Sequence, residues 1–108
     1  MQVYRSVFYR ASLTSGPSAV LVSIRFGTAP AGGPALRILA GVNQDGAPQF
    51  DLENHVAEIL EGVDAANREQ GGSLQVETVE VVPDDYPSGG QARFLAYNIA
   101  RAVMRGEV

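Results

Sequence analysis

Residues 74–105 read LQVETVEVV-PDDYP-SGGQARFLAYNIARAVMR, and this stretch decides the fold of the chain. Residues 74–82 alternate apolar and polar side chains, which is the pattern of a strand with one buried face. The apolar side begins at Leu74 and continues with Thr78 or Val79. The polar side carries Gln75, Glu77 and Glu80.

A helix is predicted after the loop at residues 83–87. We expect Ser88 at its N-cap and Gln91 three residues later, because these side chains can satisfy each other's backbone N–H groups in a capping box. The apolar side chains before Arg105 fall within about a third of the circumference at 100° per residue. They are Ala92, Leu95, Ala96, Ile99, Ala102 and Val103. We expect this stripe to pack on the sheet.

Three strands are predicted in the first part of the chain. Residues 2–13 contain no breaker and predict one long strand, and residues 19–26 predict a second. The turn residues 14–18 between them make a hairpin. Residues 35–42 predict a third strand, although periodicity alone does not separate it from a short buried helix. Residues 47–52 are predicted to be extended.

A first helix is predicted at residues 54–70. Its buried stripe comprises Val56, Ile59, Leu60, Val63 and Ala66. Gly62 lies inside this helix at a cost of about 1 kcal/mol relative to Ala, which is tolerated where a helix packs closely on a sheet. Gly71 and Gly72 are expected to end it.

The predicted order is therefore β-β-β-α-β-α within one domain of 108 residues. Two amphipathic helices can cover one face of an antiparallel or mixed sheet. The sequence thus predicts an α+β protein, a two-layer sandwich with both helices on one side.

Composition limits the classes of function. The chain carries a net charge of −4, has no Cys, and has no apolar run near the roughly 20 residues that span a membrane. The first residues lack the basic segment and apolar run of a signal peptide. These features predict a cytoplasmic protein that binds neither membrane nor DNA, because broad nucleic-acid binding needs excess positive charge.

No catalytic motif is present in the sequence. His55 is the only histidine, so no His and Cys set for a zinc site exists, and we expect a structural or surface role for it. The phosphate loop G-x-x-x-x-G-K-[ST] is also absent. We therefore expect a non-enzymatic protein with no cofactor and no tight metal site.

Two surface segments are candidates for binding. The predicted outer face of the last helix interleaves basic and aromatic residues, namely Arg93, Phe94, Tyr97, Arg101 and Arg105. Such residues are enriched at protein interfaces and also occur on RNA-contacting surfaces, but they are compatible with an ordinary solvated face as well. Asp84, Asp85 and Tyr86 form an acidic loop, which is either a turn beside the positive helix end or a functional acidic pair.

Three stretches carry motifs of one known family. Residues 50–56 (FDLENHV) are similar to F-x-F-x-N-x-V, and residues 59–66 are similar to V-E-x-G-I-x-x-A, with Ile59 in place of Val. Residues 76–96 are similar to a strand, a loop and a D-S-S-x-x-A-F-x-x-A helix. Together with the hairpin arm at residues 15–26, they resemble domain IV of the ribosomal translocase elongation factor G over residues 15–104.

The resemblance implies the fold of the second domain of ribosomal protein S5, including a left-handed β-α-β crossover against the usual rule. The departures lie in the loops that form the ribosome-facing tip of that family. The Gly-Gly loop before the first helix is missing, and residues 83–87 lack the D-G-x-x-H motif. Pro87, Gly89 and Arg93 replace the family's Asp, second Ser and Phe.

Two functions are compatible with this sequence. The resemblance implies a non-enzymatic binding module that contacts RNA or protein on or near the ribosome. The alternative is a protein–protein interaction module, a homodimer, that keeps the fold without a ribosomal role. The shortened tip loops and the acidic net charge favour a protein partner or a second copy.

Overall fold

A sheet and two helices form the part of the chain that the computed structural model describes, which is residues 4–5, 8–15, 18–38, 52–81 and 90–107. The elements in chain order are β1 (Tyr4–Arg5), β2 (Tyr9–Ser15), β3 (Ser18–Phe26), β4 (Ala35–Ile38), α1 (Leu52–Gln70), β5 (Val76–Val81) and α2 (Gln91–Met104). The predicted α+β class and the β-β-β-α-β-α order are confirmed, with the short β1 as an addition.

The sheet is mixed, and its strand order is β1-β2-β3-β5-β4. All neighbours are antiparallel except β4 and β5, which are parallel. The chain therefore inserts β5 between two strands that were formed earlier in the sequence. The connection from β4 to β5 runs through α1, as parallel neighbours require.

One predicted strand is wrong. Residues 2–13 do not form a single strand, because Arg5 pairs with Tyr9 and Tyr4 with Arg10 in antiparallel register. The chain thus reverses direction between β1 and β2. The predicted hairpin of β2 and β3 is confirmed, and its pairing extends to Ser15 opposite Ser18.

The strand at β4 is confirmed over Ala35–Ile38, where the competing helix is excluded. The rest of that predicted strand, residues 39–42, lies outside the described residues. The same holds for residues 47–51 of the segment predicted to be extended. Leu52 already belongs to α1, which begins two residues earlier than predicted.

A bulge in β5 explains why its alternation was ambiguous. Phe26 pairs with Val76 but its neighbour Arg25 pairs with Thr78, so Glu77 is the extra residue. After this point Val79, rather than Thr78, continues the face that packs on the helices, opposite Ile24.

The core lies between the sheet and the helices. The predicted stripe of α2 is confirmed except at Val103, which is half-buried, as is Val56 in the predicted stripe of α1. The buried residues of α2 are Ala92, Leu95, Ala96, Ile99, Ala100 and Ala102. In α1 the residues Ile59, Val63 and Ala66 are buried as predicted, whereas Leu60 is 40% exposed. Leu60 lies on the flank of α1 and contributes to the wall of a surface groove instead of the core.

The two helices touch at Gly62. A Cβ added there would overlap the carbonyl oxygen of Arg93 and would lie 2.9 Å from the backbone nitrogen of Tyr97. The predicted close approach is therefore to α2 and not to the sheet.

The start of α2 differs from the prediction. The N-cap is Gly90, with φ of 87°, and no side chain of its own segment caps it. The predicted N-cap at Ser88 is therefore wrong, because the helix begins after Gly90, and Ser88 itself lies outside the described residues. Oε1 of Glu58, on α1, accepts hydrogen bonds from the backbone N–H groups of Gly90 at 3.0 Å and Arg93 at 3.4 Å.

The end of α1 follows the prediction. Gly71 adopts a φ of 68°, and the N–H of Gly72 donates to the carbonyl of Asn67 at 2.9 Å, which is a Schellman ending. The Asn67 side chain then donates to the carbonyl of Leu74 and accepts from its N–H, both at 2.9 Å. These two hydrogen bonds fix the direction in which the chain leaves the helix toward β5.

Replacing Leu95 by Ala should destabilise the protein by about 2–5 kcal/mol, because Leu95 is fully buried between α2 and the sheet. Chemical denaturation measures this loss. A loss below about 0.5 kcal/mol would contradict the core position.

Replacing Gly62 by Ala should also destabilise the fold. Ala has the better helix propensity by about 1 kcal/mol, but the overlap with backbone atoms of α2 should cost about 1–3 kcal/mol. Gly32→Ala is the control, because no atom lies within 4 Å of its added Cβ. Equal or increased stability of Gly62→Ala would show that the helices can separate without penalty.

Candidate functional site

The predicted interaction residues lie on the outer side of α2, away from the sheet. Phe94 is 49% exposed, the highest value among the large apolar residues that the structure describes. Arg93 and Arg105 are exposed, and Arg101 is half-buried. Since Leu95 and Ile99 on the opposite side are buried, α2 holds Phe94 on a firmly packed support.

Tyr97 does not point freely outward as the sequence predicted. Its ring is half-buried against the core, and its hydroxyl donates a hydrogen bond to Oε2 of Glu69 on α1. The bond to Glu69 raises the pKa of Tyr97, with burial adding to the effect. Tyr97 therefore links the two helices.

Arg101 is positioned by its neighbours on α2. Its guanidinium lies 5.4 Å from the centroid of the Tyr97 ring, within cation–π distance. Its Nη2 atom donates to Oδ1 of Asn98 at 3.2 Å. Arg101 is therefore held beside Tyr97, about two turns along α2 from Phe94.

The neighbouring surface of α1 is acidic. Three acidic residues and one basic residue are exposed on the side of α1 opposite the buried Ile59, namely Glu53, Glu61, Asp64 and Arg68, so the net charge of this side is negative. Nη1 of Arg93 lies 3.5 Å from Oε2 of Glu61, so an ion pair bridges the two helices there. We call the combined outer surface of both helices the helix-layer surface: an acidic row (Glu53, Glu61, Asp64) beside a basic row (Arg93, Phe94, Arg101, Arg105).

The other predicted candidates occupy different places. The acidic loop of Asp84, Asp85 and Tyr86 lies outside the described residues. His55 is buried at the start of α1, only 2% exposed, and burial lowers its pKa while the Glu58 carboxylate opposes this. The imidazole is thus neutral at neutral pH. Within the described ranges, no group of three or more His, Cys, Asp or Glu residues could hold a metal ion.

A polar cluster on the other face of the sheet was not found from the sequence. Arg10, Ser23, Glu80 and Arg37 lie side by side across β2, β3, β5 and β4. Glu80 is 2% exposed although it lies on the face opposite the helices. Its Oε1 atom accepts from the Ser23 hydroxyl at 2.6 Å and from Nη2 and Nε of Arg10 at 2.6 and 3.1 Å.

The electrostatics of this cluster favour an ionised Glu80. Burial alone would raise its pKa, but hydrogen bonds from Ser23 and Arg10 and the charges of Arg10 and Arg37 outweigh it, so the pKa is lowered. Nε of Arg37 is 4.0 Å from Oε2. The buried carboxylate joins side chains from four neighbouring strands, chiefly through Oε1, which indicates a structural role. The one sequence feature that could have indicated this cluster is the charged residue within the valine-rich residues 79–82.

A shallow groove of about 270 Å³ lies beside α1, between Leu60 and Asp64 on the helix and Ala29 and Pro34 in the loop after β3. Its walls are mostly apolar. It meets the helix-layer surface at Asp64, while Leu60 lies on the flank of α1.

Neither helix is long and apolar enough to cross a membrane, as far as the described chain extends. Comparison with protein-family models, with curated proteins and with solved structures finds no match.

Replacing Glu80 by Gln should cost about 1.5–3 kcal/mol at neutral pH, the range for hydrogen bonds to a charged group. Because the folded pKa lies below the ordinary value of 4.5, this stabilisation is present above about pH 4.5. It is lost as pH falls through the folded pKa. The difference in unfolding free energy between wild type and variant should therefore shrink in acid.

Glu77→Gln is the matched control, since Glu77 pairs with Arg25 at 3.1 Å with both side chains substantially exposed. Such a pair contributes less than about 1 kcal/mol. Urea denaturation at pH 7 and pH 3 measures all three proteins. Equal stability of Glu80→Gln and wild type at pH 7 would refute the stabilising role of the cluster.

Proposed function

We propose that this chain is a non-enzymatic, cytoplasmic binding module that contacts a partner protein through the helix-layer surface. The observation that carries the proposal is the exposure of Phe94 on the same helix as the positioned Arg101. Aromatic residues and Arg are the types enriched at interface anchors.

The support beneath Phe94 makes it an effective anchor. Binding costs free energy when side chains or loops must be ordered at the interface. Here α2 is packed through Leu95 and Ile99, and its first turn is held by Glu58. A partner that covers Phe94 would therefore bury apolar area with little loss of backbone freedom.

The proposal also fits the acidic helix beside α2. A phosphate backbone approaching Arg101 would pass the exposed carboxylates of Glu61 and Asp64, whose helix packs against α2 at roughly 8–10 Å between axes. A protein surface can match both signs of charge, whereas a nucleic acid presents one sign only.

A second candidate is a translation-related role on the ribosome, as the resemblance to elongation factor G domain IV implies. The β-β-β-α-β-α order with both helices in one layer favours it, because this is the architecture that the resemblance requires. RNA contact through Arg101 and Arg105 would then weaken steeply with salt, while an aromatic-anchored protein contact would weaken less.

The double change Phe94→Ala with Arg101→Ala should abolish partner binding and leave stability nearly intact, because both side chains lie outside the core. Tyr97 is unsuitable for this test, since its bond to Glu69 links the helices. Leu60→Ala is the control, an exposed leucine on the flank of α1.

A photoreactive residue at position 94 should crosslink a protein in cells, and one at position 60 should not. Sedimentation with ribosomes at low and high salt tests the second candidate. If the double variant is folded and still co-purifies with the protein that is crosslinked at position 94, or still sediments with ribosomes as wild type does, the helix-layer surface is ordinary surface and the proposal fails.

A further inference from the structure

We infer that the open edge of β4 binds an extended peptide segment of a partner protein, in which apolar side chains alternate with acidic ones. The juxtaposition that supports this is an unpaired strand edge with an exposed leucine on one face and an exposed arginine on the other. The inference goes beyond the proposed function, because this edge lies on the sheet and uses none of the contacts of the helix-layer surface.

The strand β4 ends the sheet order, and β5 is its one strand neighbour among the described residues. Every second residue of an edge strand directs its backbone N–H and C=O groups away from the sheet. Ala35, Leu36 and Arg37 are all exposed, so this side of β4 is open to a ligand. An extended peptide is the ligand that matches such a row, because its own backbone presents donors and acceptors at the same spacing.

Leu36 supplies an apolar contact on the helix side of the edge. It pairs with Val79, which belongs to the core, so both side chains lie on the same face of the sheet. The helices pack over the strands farther in, α1 against β5 and α2 against β2 and β3, and Leu36 remains 44% exposed. A strand added about 4.8 Å beyond β4 would place an apolar side chain beside Leu36 and remove both from water.

Arg37 lies on the opposite face and favours an acidic peptide. Its side chain is 66% exposed, and its Nε atom is 4.0 Å from Oε2 of Glu80. The shorter bonds to that carboxylate come from Arg10 and Ser23, so Arg37 keeps N–H donors for a further acceptor. A carboxylate opposite Arg37 on the added strand would make a charge-assisted cross-strand pair.

The same arginine opposes a second copy of β4 as the occupant. If two copies were joined antiparallel and centred on β4, with their helix layers on one side, both Arg37 side chains would lie on one face, opposite or diagonal to each other. Like charges in these positions destabilise strand pairing. Arg37 thus discriminates against self-pairing and against basic segments, while an acidic segment gains from it.

Two labelled hexapeptides test the inference, one alternating valine with glutamate and the other alternating valine with lysine. Both can bring valines to the face of Leu36, but only the first brings carboxylates to the face of Arg37. In a fluorescence anisotropy titration the acidic peptide should bind at least about threefold more tightly. The net charge of −4 on the chain favours the basic peptide, so the opposite preference has to come from a local contact.

Backbone pairing is tested with two N-methylated forms of the acidic peptide, one methylated on the valines and the other on the glutamates. Each methyl group removes an N–H donor, and alternate N–H groups of a strand point to opposite sides. Binding should therefore be lost in one form and kept in the other. A contact made by side chains alone would treat the two forms alike.

Three variants of the protein assign the contact, with circular dichroism confirming that each is folded. Leu36→Ser should weaken both peptides, whereas Arg37→Gln should remove the preference for the acidic one. Arg25→Gln is the matched control, an exposed arginine on the interior strand β3, and should bind both peptides as wild type does. The double variant Phe94→Ala with Arg101→Ala should also bind normally, which separates this edge from the helix-layer surface.

Loss of binding in one methylated form, together with loss of the acidic preference in Arg37→Gln, supports the inference. No saturable binding of either peptide, equal binding of both methylated forms, or an acidic preference that survives in Arg37→Gln would overturn it. Self-association of wild type that disappears in Leu36→Ser would assign the edge to a second copy and overturn it as well. None of these results bears on crosslinking at position 94, which tests the proposed function separately.

Discussion

The close contact between α1 and α2 is the constraint on which the rest of the structure depends. At Gly62 the backbone of α1 contacts the backbone of α2. Any side chain at this position would overlap α2 unless the helices moved apart. The same contact brings Glu58 to the start of α2, where its carboxylate accepts from the N–H groups of Gly90 and Arg93. A helix whose first turn has no cap of its own is thereby held by its neighbour. Bringing the helices this close also aligns their outer charges in two adjacent rows.

The second face of the sheet differs from the first, because neither α1 nor α2 packs on it. The interior strand β5 carries valines toward the core and Glu80 toward the other side. A buried carboxylate costs free energy unless it is paired, and Arg10, Ser23 and Arg37 supply the partners from three other strands. Because these partners lie side by side across the sheet, a one-residue shift of register would separate them. The cluster therefore opposes alternative registers of a strand that arrives late in the chain.

Periodicity predicted the parts of this fold that depend on one face being apolar. The apolar stripe of α2 and the β2–β3 hairpin were predicted correctly, since the pattern that specifies each lies within a short segment of sequence. Features that depend on distant partners did not. The reversal between Arg5 and Tyr9 has no Gly or Pro signal, and a capping box at Ser88 is a local expectation that Glu58 of another helix replaces. Tyr97 was assigned to the surface because its partner Glu69 is 28 positions away. Glu80 looked like a solvated residue because alternation shows which face it occupies but not whether arginines cover it.

The position of the candidate surface follows from the difference between the sheet layer and the helix layer. In a two-layer sandwich, each layer has one inner and one outer face, and here the outer face of the sheet is occupied by the Glu80 cluster, whose groups satisfy one another. The Glu80 carboxylate at its centre is buried and already bound, although the Arg10 and Arg37 side chains are 42% and 66% exposed. The helix layer is the reverse case: its charges are paired only loosely in solvent, and Phe94 remains half exposed. Exposed apolar area combined with exchangeable charges is the combination that association can use, because burying the ring is favourable and the weak intrachain pairs cost little to replace. The outer face that can gain free energy from a partner is therefore that of the helix layer and not that of the sheet.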